Sequence, residues 1–405
     1  MRTLHGSIRP YPWGSRQVIA QVQGREVPSA GPEAELWLGA HPSAPSTVDG
    51  SASLVDVVAA DPAGVLGAAV VDEHGPRLPF LLKLLAAEEP LSLQAHPDPA
   101  QARAGYAAGN PSYVDPHHKP ELLVAVSEFE ALCGFRDPAA AARLLADLKV
   151  GELAPVLAAL DGPGAAGDRL RAAVTTLVGW PAQERAGLVA AVARAVAADP
   201  TTAEYALAAR LAAAYPADPG VVVALLLNRV VLAPGEAIWM PAGNLHSYVH
   251  GAGIEIMAAS DNVLRGGLTG KRVDVPELLR VLRFEVLDNP VVRAAPVAPG
   301  VVTWPVPVAD FALFRVRVDA GQPAAEVEID GPRIAFCLAG QVEVDDGQVE
   351  VDDGRAAVRL AGGEAAFGPA GAGLRVTGAG EVYVATTGRA GRWTPTGNSS
   401  GVSSP

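Results

Sequence analysis

Eight histidines occur in the chain, at positions 5, 41, 74, 96, 117, 118, 246 and 250. His96 ends the run Leu91-Ser92-Leu93-Gln94-Ala95-His96, just before Pro97. On an extended strand alternate side chains share a face, so Ser92, Gln94 and His96 point the same way. Three polar groups on one face are costly if buried without partners, so that face is either solvated or lines a site. A second cluster is His117-His118-Lys119-Pro120-Glu121, which puts a carboxylate at the head of an apolar run. In the third, Pro241 to Tyr248, Pro241 and Gly243 shape a tight approach to His246. Together these offer Gln94, His96, Glu121 and His246. Two imidazoles, a carboxylate and an amide oxygen suit a borderline divalent ion, zinc first, and the lack of thiolates favours an open catalytic site over a closed structural one. The ligands are scattered, so spacing alone leaves alternatives open. His41 and His250 compete as ligands, and a solvated turn would also account for Glu121.

A fourth cluster runs from Asp261 to Lys271 and reads as a glycine-rich loop carrying Arg265 and Lys271. Backbone N–H groups and two fixed charges in such a loop can meet an anion. It is not a P-loop, because only three residues separate Gly266 from Gly270 and Arg272 follows Lys271 where Ser or Thr is needed. The plain alternative is a surface loop, held by pairing Arg265 with Asp261.

The elements that must position these residues fall into three stretches. Up to about residue 135, short runs read as strands: 36–38, 80–85 (broken only by Lys83), 91–96 and 121–126. Residues 54–71 read as helix interrupted at Asp61-Pro62. From 137 to 219 the composition turns to Ala, Leu and Arg, opening on Asp137-Pro138 as an N-cap and first helical proline. That block reads as about four helices inserted between β segments. Strands resume over 221–232 and on to about 258, and a helix begins near Asp274. From about residue 300 the pattern is valine-rich and turn-rich, as in a β-sandwich, and the last residues read as a frayed tail. One internal echo stands out: Gly235 to Ala242 matches Gly363 to Ala370, with His246 falling opposite Leu374. Two readings stand: two related β modules, one with a metal ligand where the other has core, or only a common turn–strand–turn unit of the form Gly-Glu-x4-Pro.

The composition bounds the function classes. A chain of 405 residues with 49% hydrophobic and 19% charged residues builds large cores and is not disordered. A net charge of −13 argues against nucleic acid or an anionic membrane as the main partner. Two cysteines, Cys133 and Cys337, exclude a disulfide framework and a Cys-based zinc site. No apolar run approaches the ~20 residues of a membrane helix, and the start lacks the pattern of a signal peptide. The expectation is a cytoplasmic protein.

Six motifs fall in order: Tyr11-Pro12-Trp13-Gly14, Glu35 to Pro42, Leu93-Gln94-Ala95-His96-Pro97, His118-Lys119-Pro120-Glu121-Leu122, Pro241 to Tyr248, and Asp261 to Lys271. This collinear set resembles the type I mannose-6-phosphate isomerases, from near the N-terminus to about residue 285. The resemblance implies a zinc enzyme of cupin fold: mainly β, two jelly-roll-like barrels and an inserted all-helical domain. Residues 1–136 and 220–290 would form the catalytic barrel, 137–219 the insert, 291–391 a degenerate second barrel and 392–405 the tail. It implies one zinc per chain on Gln94, His96, Glu121 and His246, an active-site arginine at Arg265 and a loop lysine at Lys271. Gly270 departs from the proline expected before that lysine. The implied reaction interconverts mannose 6-phosphate and fructose 6-phosphate through a cis-enediol. Glu255, Asp261, Lys119 and a zinc-bound water are the possible bases. Ser92, Lys119, Trp13 and Tyr248 are the expected substrate contacts, and a monomer is expected. The rivals are a sugar-phosphate-binding cupin without turnover and a metal-dependent cupin oxygenase.

Overall fold

The computed structural model describes residues 1–346, 357–371 and 373–388, so the expected tail lies outside the described residues. Two antiparallel sheets of 11 strands each form the body. The first runs in the order Val291–Val292, Ala237–Met240, Glu121–Ala125, His246–Ala258, Phe80–Ala87, Glu35–Gly39, Ser7–Arg9. The long strand His246–Ala258 then bends away to pair with Leu93–Ala95 and Phe129–Phe135. The second sheet is built mostly from residues after 295. It also takes in Arg2–His5, Thr47–Val48 and Ala52–Ser53, while Val291–Val292 belongs to the first, so sheet membership does not follow chain order.

Phe80–Ala87 is buried along its whole length. Its alternation explains why. Leu82, Leu84 and Ala86 pack into a core shared with Trp304, Phe311, Phe336 and Tyr383 of the C-terminal segment. Leu81, Lys83 and Leu85 face the other way, into a large cavity. The sheets therefore meet back to back, and the cavity opens on the far face of the first.

The helical block begins as the sequence predicts. Asp137 accepts hydrogen bonds from Ala139 N and Ala140 N at 2.9 and 3.0 Å, with Pro138 in the first turn. It holds one more helix than expected, Ala154–Leu160, with Pro155 in its first turn. Two further expectations are corrected. The valine run after Pro219 is not a strand. Gly220–Ala224 is a wholly buried helix, opened by Asp218 accepting from Gly220 N at 2.7 Å, and only Leu227–Leu232 is extended. Burial among the other helices overrides the β preference of valine. Nor is the glycine-rich stretch all loop. Leu264–Gly267 is a strand, with Arg265 opposite Gln94. Its glycines serve close packing: a Cβ on Gly267 would lie 2.8 Å from Gly220 Cα.

Candidate active site

The cavity has a volume of about 920 Å³. Ten residues singled out in the sequence line it: Trp13, Ser92, Gln94, Lys119, Glu121, Tyr248, Glu255, Asp261, Arg265 and Lys271. His96 and His246 are buried, both within reach of Glu121, and His246 lies beside Gln94.

Three elements bring the candidate ligands together. Glu121 heads one strand, His246 heads the long strand, and Gln94 is paired with His246 in register. The turn before His246 needs Gly243, which has φ +78 and whose N–H bonds His96 O at 2.8 Å. A Cβ there would lie 2.7 Å from Arg283 Cγ. Glu121 Oε2 stands 3.1 Å from His246 Nε2 and 3.4 Å from His96 Nε2. Each ring is oriented by its other nitrogen. His96 Nδ1–H donates to Asn262 O at 2.7 Å and His246 Nδ1–H to Asn244 O at 3.1 Å. Both Nε2 atoms are then left as lone pairs aimed at the carboxylate. Burial pushes His96 down to about 4, which keeps it neutral as a ligand must be. Burial alone would raise Glu121, but Lys119, at 2.7 Å from Oε1, and the imidazoles outweigh it and hold the carboxyl well below its usual range. His96 Nε2 and Glu121 Oε2 are buried with no hydrogen-bond partner among the described residues. Converging acceptors with no proton between them fit a cation. Gln94 stands beside this group, its amide nitrogen 3.3 Å from His246 Nε2. His41 and His250 are not part of it. His41 pairs with Asp261, and His250 is exposed opposite Glu130.

A second buried network lies beside the first. Lys83 Nζ bridges Glu255 Oε2 at 2.9 Å and Glu35 Oε1 at 3.2 Å. Tyr248 O–H donates to Glu255 Oε1 at 2.6 Å, and Trp37 Nε1–H donates to Glu35 Oε2 at 2.8 Å. Burial opposes the charge on Lys83, but the two carboxylates outweigh it and raise its pKa above the ordinary value, so it stays a cation. Burial and Glu255 likewise raise Tyr248. Tyr248, read as a substrate contact, therefore spends its hydroxyl on Glu255 while its ring faces the cavity. Sequence reasoning assigned no role to Lys83, Glu35 or Trp37. The signal was there: a lone lysine in a continuous apolar strand must find buried carboxylates.

Arg265 lines the same cavity and makes no ion pair among the described residues; burial pushes its pKa down. The pairing with Asp261 expected of a simple loop does not form. Asp261 Oδ2 lies 3.2 Å from His41 Nε2 instead, and that contact holds its pKa below the usual carboxylate range. Lys271 and Arg272 sit at the cavity rim with Ser92.

Known proteins are similar to this chain in sequence and in fold. The family profile "Phosphomannose isomerase type I, catalytic domain" matches residues 1–138. Mannose-6-phosphate isomerase of Escherichia coli is 37% identical over 356 residues, covering 84% of this chain and 89% of that protein. Mannose-6-phosphate isomerase 1 of Arabidopsis thaliana is 31% identical, covering 84% of each. A crystal structure of a single-residue variant of phosphomannose isomerase from Salmonella typhimurium superposes with a TM-score of 0.87 at 31% identity, covering 96% of this chain and 99% of that one. A mannose 6-phosphate isomerase crystallised with zinc and yttrium superposes with a TM-score of 0.85 at 31% identity, covering 96% and 100%. The likeness extends over the elements that build the cavity as well as over the N-terminal motifs, and on that extent the chain belongs to the type I phosphomannose isomerase family.

Proposed function

We infer that this chain is a zinc-dependent aldose–ketose isomerase that interconverts mannose 6-phosphate and fructose 6-phosphate. The observation that carries the reading is the placement, at one cavity, of a His96-Glu121-His246 cluster with Gln94 beside it, and of a half-buried arginine with no carboxylate partner among the described residues. The reaction moves a proton between C1 and C2 and another between O1 and O2, through a cis-enediol. It needs a base, a stabiliser for the enediolate and a grip on the phosphate. The zinc, one per chain, would be held by those four residues and supply Lewis acidity toward a substrate oxygen.

The remaining roles follow from which groups are already engaged. Glu255 has both oxygens occupied, by Tyr248 and Lys83, and serves as a fixed negative wall. Lys119 is ion-paired to Glu121 and donates toward the substrate. Asp261 lines the cavity with one oxygen on His41, and its carboxylate has the capacity to accept the migrating proton. Arg265 stabilises the enediolate. Lys271, with Ser92, takes the phosphate, and Trp13, stacked on Tyr11, walls the sugar. We further propose that the two sheets are two cupin-type barrels, with 137–219 as the helical insert, and that the protein works as a cytoplasmic monomer. No helix among the described residues is long and apolar enough to cross a membrane.

The test is a coupled assay of mannose 6-phosphate isomerisation on purified protein with bound metal quantified. Turnover in proportion to zinc content is expected. Stoichiometric zinc without turnover would overturn the enzymatic reading in favour of a binding protein.

A further inference from the structure

The strand Glu35–Gly39 contributes no metal ligand, yet the stretch that follows it contacts Asp261, a residue of the cavity wall. Its alternate residues Glu35 and Trp37 line the cavity, and His41 continues the row just outside. His41 is 7% exposed, so it does not meet a substrate itself. Its ring is fixed on three sides. Ser43 N–H points at Nδ1 from 3.3 Å and Ser43 Oγ lies 2.9 Å from the same atom. Trp37 packs against the ring at 4.8 Å and 70°. Because Nδ1 accepts from a backbone N–H, the neutral ring carries its proton on Nε2, and that N–H faces Asp261 Oδ2 at 3.2 Å. Asp261 needs such a tether. Its backbone is anchored, N–H to Asp115 Oδ2 at 2.9 Å, but its side chain is 48% exposed and would otherwise rotate freely in the cavity mouth.

We infer that His41 is a positioning residue of this site, whose Nε2–H fixes the Asp261 carboxylate at the cavity wall in the orientation the reaction uses. The inference rests on the reading of Asp261 given above. A carboxylate that must meet a migrating proton gains from being held in one rotamer, since small displacements from the reactive geometry cost rate steeply.

Two nearly isosteric variants isolate the donor. His41→Met keeps bulk against Trp37 but cannot donate; His41→Gln carries an N–H close to where Nε2–H lies. With zinc content and thermal midpoint measured for each, kcat and KM are determined for mannose 6-phosphate. His41→Met is expected to lose about 10–100-fold in kcat/KM, the size seen when a group orienting a functional residue is removed. The loss should fall mainly on kcat, and His41→Gln should recover most of it. Asp261→Asn should be impaired at least as much, and His41→Met placed in that background should cost nothing more. Losses that multiply in the double variant, or an impaired Asp261→Asn beside a fully active His41→Met, would overturn the assignment of His41. Equal losses in His41→Met and His41→Gln would also overturn it, because packing rather than the donor would then matter. Full activity in Asp261→Asn is a different result: it removes the role of Asp261 itself.

Discussion

Arg265 is a cation that burial disfavours and that no carboxylate neutralises among the described residues. A charge kept in that condition is compensated by its ligand, which enters negatively charged and becomes more so in the enediolate. If the arginine met only the phosphate, equally in ground and transition states, Arg265→Ala would raise KM and spare kcat. On the reading that Lys271 and Ser92, which line the same cavity, take the phosphate, the expected result is a fall of ~10²–10³-fold in kcat, the size of one preorganised donor to developing charge. Arg265→Lys should restore only part, since a point charge cannot copy a planar fork. Steady-state kinetics at equal zinc content checks this, and a kcat within about 2-fold of wild type would remove the arginine from the chemistry. The ligand set has its own test. His246→Ala takes away one of two imidazoles whose rings are pre-aimed by backbone carbonyls. Zinc affinity, measured by competition with a chelator, should fall by at least ~10-fold, as loss of even an orienting partner can produce. Undiminished zinc in that protein would remove His246 from the centre.

At the level of the elements, the strand Phe80–Ala87 works as a two-sided partition. One row seals the core between the sheets, and the other sends Lys83 into the cavity between Glu35 and Glu255. All three side chains are under a tenth exposed, so each charge depends on the others. Lys83→Met should destabilise the fold by about 3–5 kcal/mol, because it strands two buried carboxylates. Glu35→Gln should cost less, since Lys83 keeps Glu255. Urea unfolding of the two variants reads this order, and the reverse order would show that Glu35 is the group the network depends on. Strands with one apolar row or two were legible in the sequence, as was the helix cap at Asp137. Two elements were not. In Gly220–Ala224 three consecutive valines carry a strand preference that only the surrounding helices cancel. In Leu264–Gly267 glycines signal a flexible loop, whereas Gly267 lets a strand lie against that helix. The candidate site was legible wherever a motif carried it. The partners of Lys83 and Asp261 were not, because register between strands distant in sequence decides them.

Across the whole molecule the echo between Gly235 and Gly363 is a correspondence of structure as well as of letters. Glu236 Oε2 accepts from Ala233 N at 3.0 Å, and Glu364 Oε2 accepts from Ala361 N at 2.8 Å. Each turn is followed by a four-residue strand and then a 13-residue one, His246–Ala258 and Leu374–Thr386. Register extends the match to the proposed metal centre. Met240 pairs with Glu121 as Gly368 pairs with Arg333, and His246 pairs with Gln94 as Leu374 pairs with Val327. Two residues beyond Gln94 stands His96, and two beyond Val327 stands Ile329. The four proposed ligand positions of the first sheet thus correspond to Val327, Ile329, Arg333 and Leu374 in the second: three apolar side chains, and a guanidinium where the carboxylate stood. That guanidinium donates to Asp346 Oδ1 at 2.7 Å and to Pro369 O at 3.0 Å, so a fixed side-chain cation occupies this end of the second sheet. Restoring a single ligand there should fail. Leu374→His places an imidazole among Val327, Ile329 and their apolar neighbours with no partner for its polar atoms. It should lower stability by about 1–3 kcal/mol, the cost of an unsatisfied buried polar group, and leave bound zinc at one per chain. Denaturant unfolding and metal analysis of that variant check both halves. A second equivalent of zinc would mean that the C-terminal sheet keeps a latent ligand set, and that Arg333 yields its place to a metal instead of substituting for one.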